Sequence, residues 1–310
     1  EISACLVGSE MCIRDRYSVD LLAAINGSPT QGFGYTTLMT NNGKMVNRGV
    51  EITLSGEIIR QKDFSWNASL LYAFNRNKVK HISVQPSLWD SRISMPTSYP
   101  MVGKPLYGIY AYKWAGLNEN GDPQVYDAEN NVTSGPARDY HALVYCGTTV
   151  PIHNASLTNV LRYKGFEFSA MLILDAGHKL RSSNIPSINM SNGRITSTAK
   201  GIVDRWTQPG DVTDVPRLLF SNDTENFNTH RTELYRYSDL FVYDASNIRL
   251  SNISLAYRVP AHWCKKISLS GARLQFNVEN VATFAFDSKA NYDLGGKVKP
   301  NYVWGLYLNF

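Results

Sequence analysis

The chain has 310 residues, of which 12% are Phe, Trp or Tyr and only 18% are charged, a balance typical of β-rich structure. Its formal charge of +5 is spread along the sequence, so no basic block indicates a nucleic-acid partner. Apolar runs such as Met171 to Leu174 are far too short for a transmembrane helix, which needs roughly 20 residues. A membrane protein with this sequence must therefore cross with strands, in which only alternate residues face lipid.

The first strand pair is predicted between Val50 and Phe74. In its first arm, apolar and polar residues alternate from Val50 to Ile58, and in its second arm they alternate from Phe64 to Phe74. The polar segment from Arg60 to Asp63 forms the predicted turn. The second arm has the roughly 9 to 11 residues that a tilted membrane strand requires.

Two further hairpins and a terminal strand follow. Leu157 to Tyr163 and Phe166 to Leu174 are predicted to pair across a turn at Lys164 and Gly165. Ile248 to Tyr257 is predicted to pair with Leu274 to Glu279 across a turn from Pro260 to Lys266. Apolar parity slips between Leu250 and Ile253, which predicts a β-bulge. The last strand is Tyr302 to Phe310.

Long polar connections separate these tight hairpins, at Ser83 to Pro105, Asn118 to Pro151 and Ser182 to Asp239. Tight turns on one side and long loops on the other are typical of outer-membrane barrels, whose long loops are extracellular. The sequence therefore predicts an all-β, antiparallel transmembrane β-barrel in the outer membrane. Its polar strand positions should line a wet lumen, and they include Glu51, Glu57, Glu167, Arg273, Gln275 and Glu279.

The sequence ends with an apolar strand whose last residue is aromatic. This ending resembles the C-terminal signal by which bacterial outer-membrane proteins are recognised for insertion, since an unpaired strand edge suits recognition by strand addition. An ordinary terminal strand would be the alternative interpretation. The residues that carry the predicted signal are Gly305, Leu306, Leu308 and Phe310.

Nine segments carry a family resemblance through their order along the chain. They are Asn42–Glu51, Phe64–Trp66, Asn75–Val79, Val102–Pro105, Gly116–Pro123, Arg205–Asp211, Ala245–Leu250, Leu255–Tyr257 and Glu279–Asn280. Together these segments resemble the SusC/RagA group of TonB-dependent outer-membrane transporters. Their shared order between Tyr17 and Phe310 supports the resemblance more than any single motif does.

The resemblance implies a plugged barrel of roughly 22 strands, which imports oligosaccharides, or peptides, with energy relayed by TonB. It also implies a SusD-like surface lipoprotein as partner. With about nine or ten strand signals, residues 17–310 would form the C-terminal part of such a barrel, and the plug domain and TonB-contacting segment would be missing. Residues 1–16 do not resemble the family, and we interpret them as translated adapter sequence rather than native protein.

The loop from Arg205 to Arg217 is the best candidate for functional contact. Trp206 could stack on a sugar ring, while Arg205, Asp211 and Arg217 could bind hydroxyl groups or a partner. The same residues could instead lock the loop internally, and we favour that structural role. The nearby Asn118, Asn120 and Asp122 around a glycine indicate a tight turn rather than a calcium loop.

Catalysis and cofactor binding have no sequence support. The six histidines are scattered, the four cysteines show no metal-binding spacing, and neither a nucleophile elbow nor a phosphate loop is present. We therefore predict a transporter segment that is not an enzyme and holds no cofactor or metal. Two alternatives remain open: a soluble all-β glycan-binding module, and an inert truncated barrel that would aggregate through its exposed edges.

Overall fold

A computed structural model describes residues 5–26, 37–83, 91–135, 139–190, 199–220, 229–266, 268–294 and 299–310. The helices are α1 (Ser91–Ser94), α2 (Thr229–Arg236), α3 (Ala261–Lys265) and α4 (Asn291–Leu294). The strands are β1 (Cys5–Asn26), β2 (Thr37–Arg60), β3 (Phe64–Ile82), β4 (Gly108–Tyr112), β5 (Trp114–Leu117), β6 (Pro123–Tyr126), β7 (Val132–Thr133), β8 (Leu143–Thr148), β9 (His153–Tyr163), β10 (Phe166–Ala176), β11 (Lys179–Arg181), β12 (Asn189–Met190), β13 (Leu219–Phe220), β14 (Val242–Asp244), β15 (Asn247–Arg258), β16 (Gly271–Ala285) and β17 (Asn301–Asn309).

Eight long strands form the main sheet, in the order β1-β2-β3-β9-β10-β15-β16-β17. Every neighbouring pair is antiparallel. The sequence indicates nine or ten strands, whereas the described residues place eight in the main sheet and the others in short sheets within the long connections. The antiparallel barrel-type fold predicted from the sequence is confirmed.

The hairpin turns lie where the apolar pattern breaks. Tyr163 pairs with Phe166 across the two-residue turn, in which Lys164 adopts a left-handed φ of 52°. Gly165 is required there because a Cβ atom would lie 2.8 Å from the carbonyl oxygen of Arg258. Between β15 and β16 the predicted turn contains α3, whose Cys264 is buried.

The predicted β-bulge is present at Ser251. The pairing of β15 with β16 shifts register between Leu250 and Asn252, and its pairing with β10 shifts between Met171 and Leu172. One unpaired residue restores the apolar residues to the same face of the sheet after the parity slip.

The two faces of the main sheet differ in chemistry. One apolar row runs across six strands, through Trp66, Leu161, Phe168, Leu255, Phe276 and Trp304. On the opposite face, Glu167 accepts hydrogen bonds from Arg162 at 2.8 Å and from Arg273 at 3.2 Å. The alternation in the sequence therefore places apolar and polar side chains on separate faces.

The strands extend beyond their apolar segments. β3 continues from Phe74 through polar residues to Ile82, and it stays paired with β2 along this extension. Backbone pairing does not depend on apolar side chains, so periodicity alone predicts strands shorter than those observed.

Two buried hydrophobic clusters of described residues lie outside the main sheet. The connections between β3 and β9 and between β10 and β15 pack together into a unit that we call the loop lobe. One cluster contains Tyr110, Tyr112, Val125, Ala142, Leu143 and Leu234, and a second contains Ile188, Tyr235 and Phe241. Trp114 packs against both. These connections are therefore folded structure rather than the plain polar loops that their composition predicts, because strands of two to six residues are too short to show a periodicity.

None of the helices in the part of the chain that the structure describes is long and apolar enough to cross a membrane.

Candidate functional site

Asp122 holds together three segments of the loop lobe. Its Oδ2 atom accepts a hydrogen bond from Arg217 Nη2 at 2.8 Å, and its Oδ1 atom accepts bonds from Arg217 Nε at 3.1 Å and Arg231 Nε at 2.7 Å. Arg217 is the last residue of the predicted contact loop, which runs from Arg205 to Arg217 and is called the contact loop below. Arg231 lies on α2. One carboxylate with two guanidinium groups therefore fixes the contact loop against α2 and against the turn that carries Asp122.

Arg231 is the buried member of this cluster, with 3% of its surface exposed. Beyond Asp122, it donates from Nη1 to Asn189 Oδ1 at 2.6 Å and from Nη2 to the carbonyl oxygen of Arg217 at 2.8 Å. These bonds compensate the cost of removing the guanidinium from water.

The Asn118–Asp122 segment is a tight turn, as predicted. Asn118 Oδ1 accepts hydrogen bonds from the backbone N–H groups of Asn120 and Asp122, each at 2.9 Å. Gly121 has a φ of 74°, in the left-handed region that glycine adopts without strain. The side chain of Asp122 is thereby directed at the two arginines.

Trp206 packs directly on this turn. A Cβ atom built at Gly121 would lie 2.4 Å from Trp206 Cδ2, so the indole ring covers the glycine backbone. The Trp206 backbone N–H also donates to the carbonyl oxygen of Val215 at 2.8 Å. One face of the ring predicted to stack on sugar is therefore occupied by the protein itself.

The other two predicted contact residues have local partners. Asp211 Oδ2 accepts bonds from Thr207 N and Thr207 Oγ1, both at 2.8 Å, and from Gln208 N at 3.0 Å. The backbone bond from Thr207 is the largest of the effects that lower the pKa of Asp211. Arg205 donates from Nη1 to the carbonyl oxygen of Ile202 at 3.4 Å. A contact role for Arg205, Trp206, Asp211 and Arg217 remains a prediction.

Sequence reasoning missed Arg231. It lies 109 positions from Asp122, inside a short polar helix, and no local pattern relates the two. No spacing within a single motif could have shown the contact, because the fold alone brings α2 to the Asn118–Asp122 turn.

Among the strands that the structure describes, the terminal strand β17 lies at the edge of the main sheet and pairs with β16 alone. Leu306 and Leu308 stand opposite Leu274 and Ala272, and Phe310 follows the last strand residue. The exposed fractions are 62% for Leu306 and 92% for Phe310. Gly305 allows the ring of Tyr307 to approach, since a Cβ atom there would lie 2.9 Å from Tyr307 Cε2. The strand thus presents an open apolar edge, and its role as an insertion signal stays a prediction.

The cysteines with described side chains are free thiols. Cys146 is partly buried and Cys264 is fully buried. Burial raises the pKa of Cys146 to about 11, so its thiol stays protonated at neutral pH.

The sequence of the chain is similar to those of known receptors. No family model matches the chain. It is 24% identical over 294 residues to TonB-dependent receptor P3 of Formosa agariphila, covering 88% of this chain and 28% of that receptor. It is 22% identical over 263 residues to the TonB-dependent receptor SusC of Bacteroides thetaiotaomicron, covering 80% of this chain and 24% of SusC. The chain therefore spans only about a quarter of the length of these relatives.

A solved structure has the same fold. The RagAB peptide transporter matches 97% of this chain and 33% of its own chain, with a TM-score of 0.71 and 21% sequence identity. In its two-faced antiparallel sheet and over most of its length, the chain is similar to the class of TonB-dependent receptors of the outer membrane.

Within that class the similarity is to the SusC/RagA group, so the resemblance inferred from the sequence motifs is confirmed. The outer-membrane location follows from the same relatives. Their names are those of receptors and transporters, in agreement with the prediction that the chain is not an enzyme.

Proposed function

We propose that the chain forms the C-terminal wall strands and the extracellular loop lobe of a nutrient importer, which takes up oligosaccharides or peptides with energy from TonB. The observation that carries this proposal is the main sheet, whose exposed apolar face suits lipid and whose opposite face carries the Arg162–Glu167–Arg273 ion pairs of a wet lumen. The similarity to SusC and to the RagAB peptide transporter supports import as the activity.

The partners belong to the same proposal. A SusD-like surface lipoprotein would close the extracellular side, where the loop lobe lies, and the exposed tip of the contact loop around Val212 is available to it. TonB would act through a plug and an N-terminal segment encoded upstream of Tyr17, because the described part of residues 17–310 consists of wall strands and the loop lobe that connects them.

The soluble glycan-binding module fits less well. A sandwich would cover the apolar face with a second sheet, whereas Phe166, Leu274, Trp304 and Leu306 are each more than half exposed. Such a surface in water would promote aggregation.

Growth tests the proposal most directly. Deleting the gene that encodes this chain should abolish growth of its host on one class of oligosaccharide or peptide, and loss of TonB should have the same effect. The intact gene should restore growth, while a copy lacking the codons for residues 17–310 should not. Full growth of the deletion strain on every glycan and peptide tested would contradict import.

A second test concerns the ends of the coding region. We expect the DNA upstream of Tyr17 to encode a plug in the same reading frame, without the codons for residues 1–16. A start codon close to Glu1 in genomic DNA would contradict both the missing plug and the non-native head.

The proposed SusD-like partner is tested by co-purification. Affinity capture of the importer from detergent extracts should recover a SusD-like lipoprotein encoded beside it. Recovery of the importer alone from membranes that contain the lipoprotein would count against this partner.

A further inference from the structure

A cavity in the loop lobe lies apart from the Asp122 cluster. It has a volume of about 480 Å³ and lies between the segment after β11 and the C-terminal end of α2. Its described lining includes two arginines, two tyrosines, three serines and one threonine, but no carboxylate. The size lies within the range of sites that bind small molecules.

Arg181 brings positive charge into this cavity. It donates from Nη1 to the carbonyl oxygens of Arg236 and Ser238, both at 3.2 Å, and from Nη2 to that of Tyr110 at 2.7 Å. A guanidinium group has five N–H donors. The Nε–H group and one N–H of Nη2 therefore have no hydrogen-bond partner among the described residues, and no described carboxylate forms an ion pair with Arg181.

Arg236 adds a second guanidinium at the same wall. The Cζ atoms of Arg181 and Arg236 lie 5.4 Å and 5.8 Å from the centroid of the Tyr237 ring. Burial, and to a lesser degree the charge of Arg236, lower the pKa of Arg181. The two like charges thus share one aromatic ring, and no carboxylate in the described part of the chain forms an ion pair with either of them.

Three carboxylates of the surrounding segments have other partners. Asp239 Oδ1 accepts a hydrogen bond from the backbone N–H of Trp114 at 2.9 Å. Asp293 Oδ2 accepts a bond from Ser182 Oγ at 2.8 Å, and its Oδ1 atom accepts bonds from the backbone and hydroxyl of Ser183. Glu233 Oε2 lies 3.1 Å from His230 Nδ1. Asp293 therefore orients the serine hydroxyls of the cavity wall rather than neutralising Arg181.

We propose that this cavity binds an acidic sugar, with the sugar carboxylate on Arg181 and Arg236. The unpaired N–H groups suit a planar carboxylate, which arginine binds with two parallel hydrogen bonds. The hydroxyl-lined wall suits the ring hydroxyls, and the partly buried Ile185 provides an apolar surface for the ring. The assignment rests on the proposed import function for its biological role and specifies the substrate class.

Calorimetry on the detergent-purified importer that carries this chain would test the proposal. D-Glucuronate should bind at least about tenfold more tightly than D-glucose, because the neutral sugar leaves the guanidinium groups unpaired. Glycyl-glutamate, which brings a carboxylate on a peptide, should bind more weakly than glucuronate. Added salt should weaken the binding of glucuronate.

The variant Arg236→Gln tests the contribution of the positive charge of Arg236 to binding. Arg236 makes no described side-chain hydrogen bond, so its replacement should leave the lobe folded and weaken glucuronate binding by about tenfold or more. Arg60→Gln removes the same charge from an exposed turn of the main sheet and should leave binding unchanged. Arg181 is less suitable because its bonds to three carbonyl groups support the fold.

Equal binding of glucuronate and glucose, or unchanged binding in Arg236→Gln, would overturn the proposal. Tighter binding of glycyl-glutamate would overturn the assignment to a sugar. Failure of the import function gives a different result: glucuronate would still bind in the purified protein, although deletion of the gene would not affect growth.

Discussion

Arg231 Nε lies 2.7 Å from Asp122 Oδ1, although the two residues are 109 positions apart in the chain. Arg217 binds the other oxygen of the same carboxylate at 2.8 Å. The cluster therefore stabilises the loop lobe through charge-assisted bonds between segments that are distant in sequence. Its removal should affect the lobe much more than the main sheet.

Asp122→Ala should destabilise the loop lobe by about 3 kcal/mol, since it leaves the buried guanidinium of Arg231 without its anion. This cost lies at the lower end of the range of stability losses for broken buried ion pairs, because the Asp122 side chain is still 18% exposed. Limited proteolysis of the detergent-purified protein would show faster cleavage in the lobe. Asp127→Ala, which removes an exposed turn carboxylate, is the matched control and should change the cleavage rate little.

The contact between Gly121 and Trp206 predicts a strong coupling. Gly121→Ala should cost about 1–3 kcal/mol, because the methyl group collides with the indole ring and the backbone has a positive φ. In a Trp206→Ala background the collision is absent and only the backbone strain remains. A double-mutant cycle on thermal unfolding of the lobe should therefore show a smaller cost in that background, and equal costs would contradict the packing of Trp206 on Gly121.

The edge strand offers a test of the lipid-facing assignment. Leu306→Arg places a charge on the apolar face and should destabilise the barrel by about 2–4 kcal/mol if this position lies near the membrane midplane. Val303→Arg, on the opposite face of the same strand, should cost less. Heat-modifiable gel mobility and urea unfolding in detergent would measure both. Equal effects of the two variants would contradict the assignment of faces.

The terminal residue tests the insertion signal. Removing Phe310 should lower the amount of protein in the outer membrane several-fold, whereas Phe310→Tyr, which retains an aromatic ring, should preserve it. Fractionation with immunoblotting measures the effect. Unchanged insertion without Phe310 would show that the ending is an ordinary terminal strand.

The thiol of Cys146 should react slowly in the folded protein. Its pKa of about 11 lies about two units above the ordinary value, so the reactive thiolate should be about 100-fold less abundant at about pH 8. Mass spectrometry after treatment with iodoacetamide should show slow alkylation that accelerates as the pH approaches 11. Denatured protein serves as the control, and equally fast alkylation in the folded state would contradict the burial of this thiol.

Sequence patterns were most informative for the main sheet. The alternation from Phe64 to Phe74 predicts the first part of β3, and the Lys164-Gly165 pair predicts the turn between β9 and β10. The parity slip near Leu250 predicts the observed bulge. These features are local or periodic, whereas the pairings of β3 with β9 and of β10 with β15 join strands that are distant in the chain.

The loop lobe could not be predicted in the same way. Tyr110, Leu234 and Phe241 come from different connections, and their burial depends on how those connections pack. The partners of Asp122 and the two unpaired N–H groups of Arg181 likewise depend on contacts over long sequence separations.

The sequence by itself determined the two-faced antiparallel strands, the outer-membrane class and the apolar terminal strand, because alternation along a strand assigns each side chain to a face. Only the tertiary structure decided that the contact loop is held by Asp122 and that Arg181 and Arg236 share a cavity without a carboxylate. The physical reason is that charge compensation and burial are properties of three-dimensional neighbours, and in this protein those neighbours lie far apart along the chain.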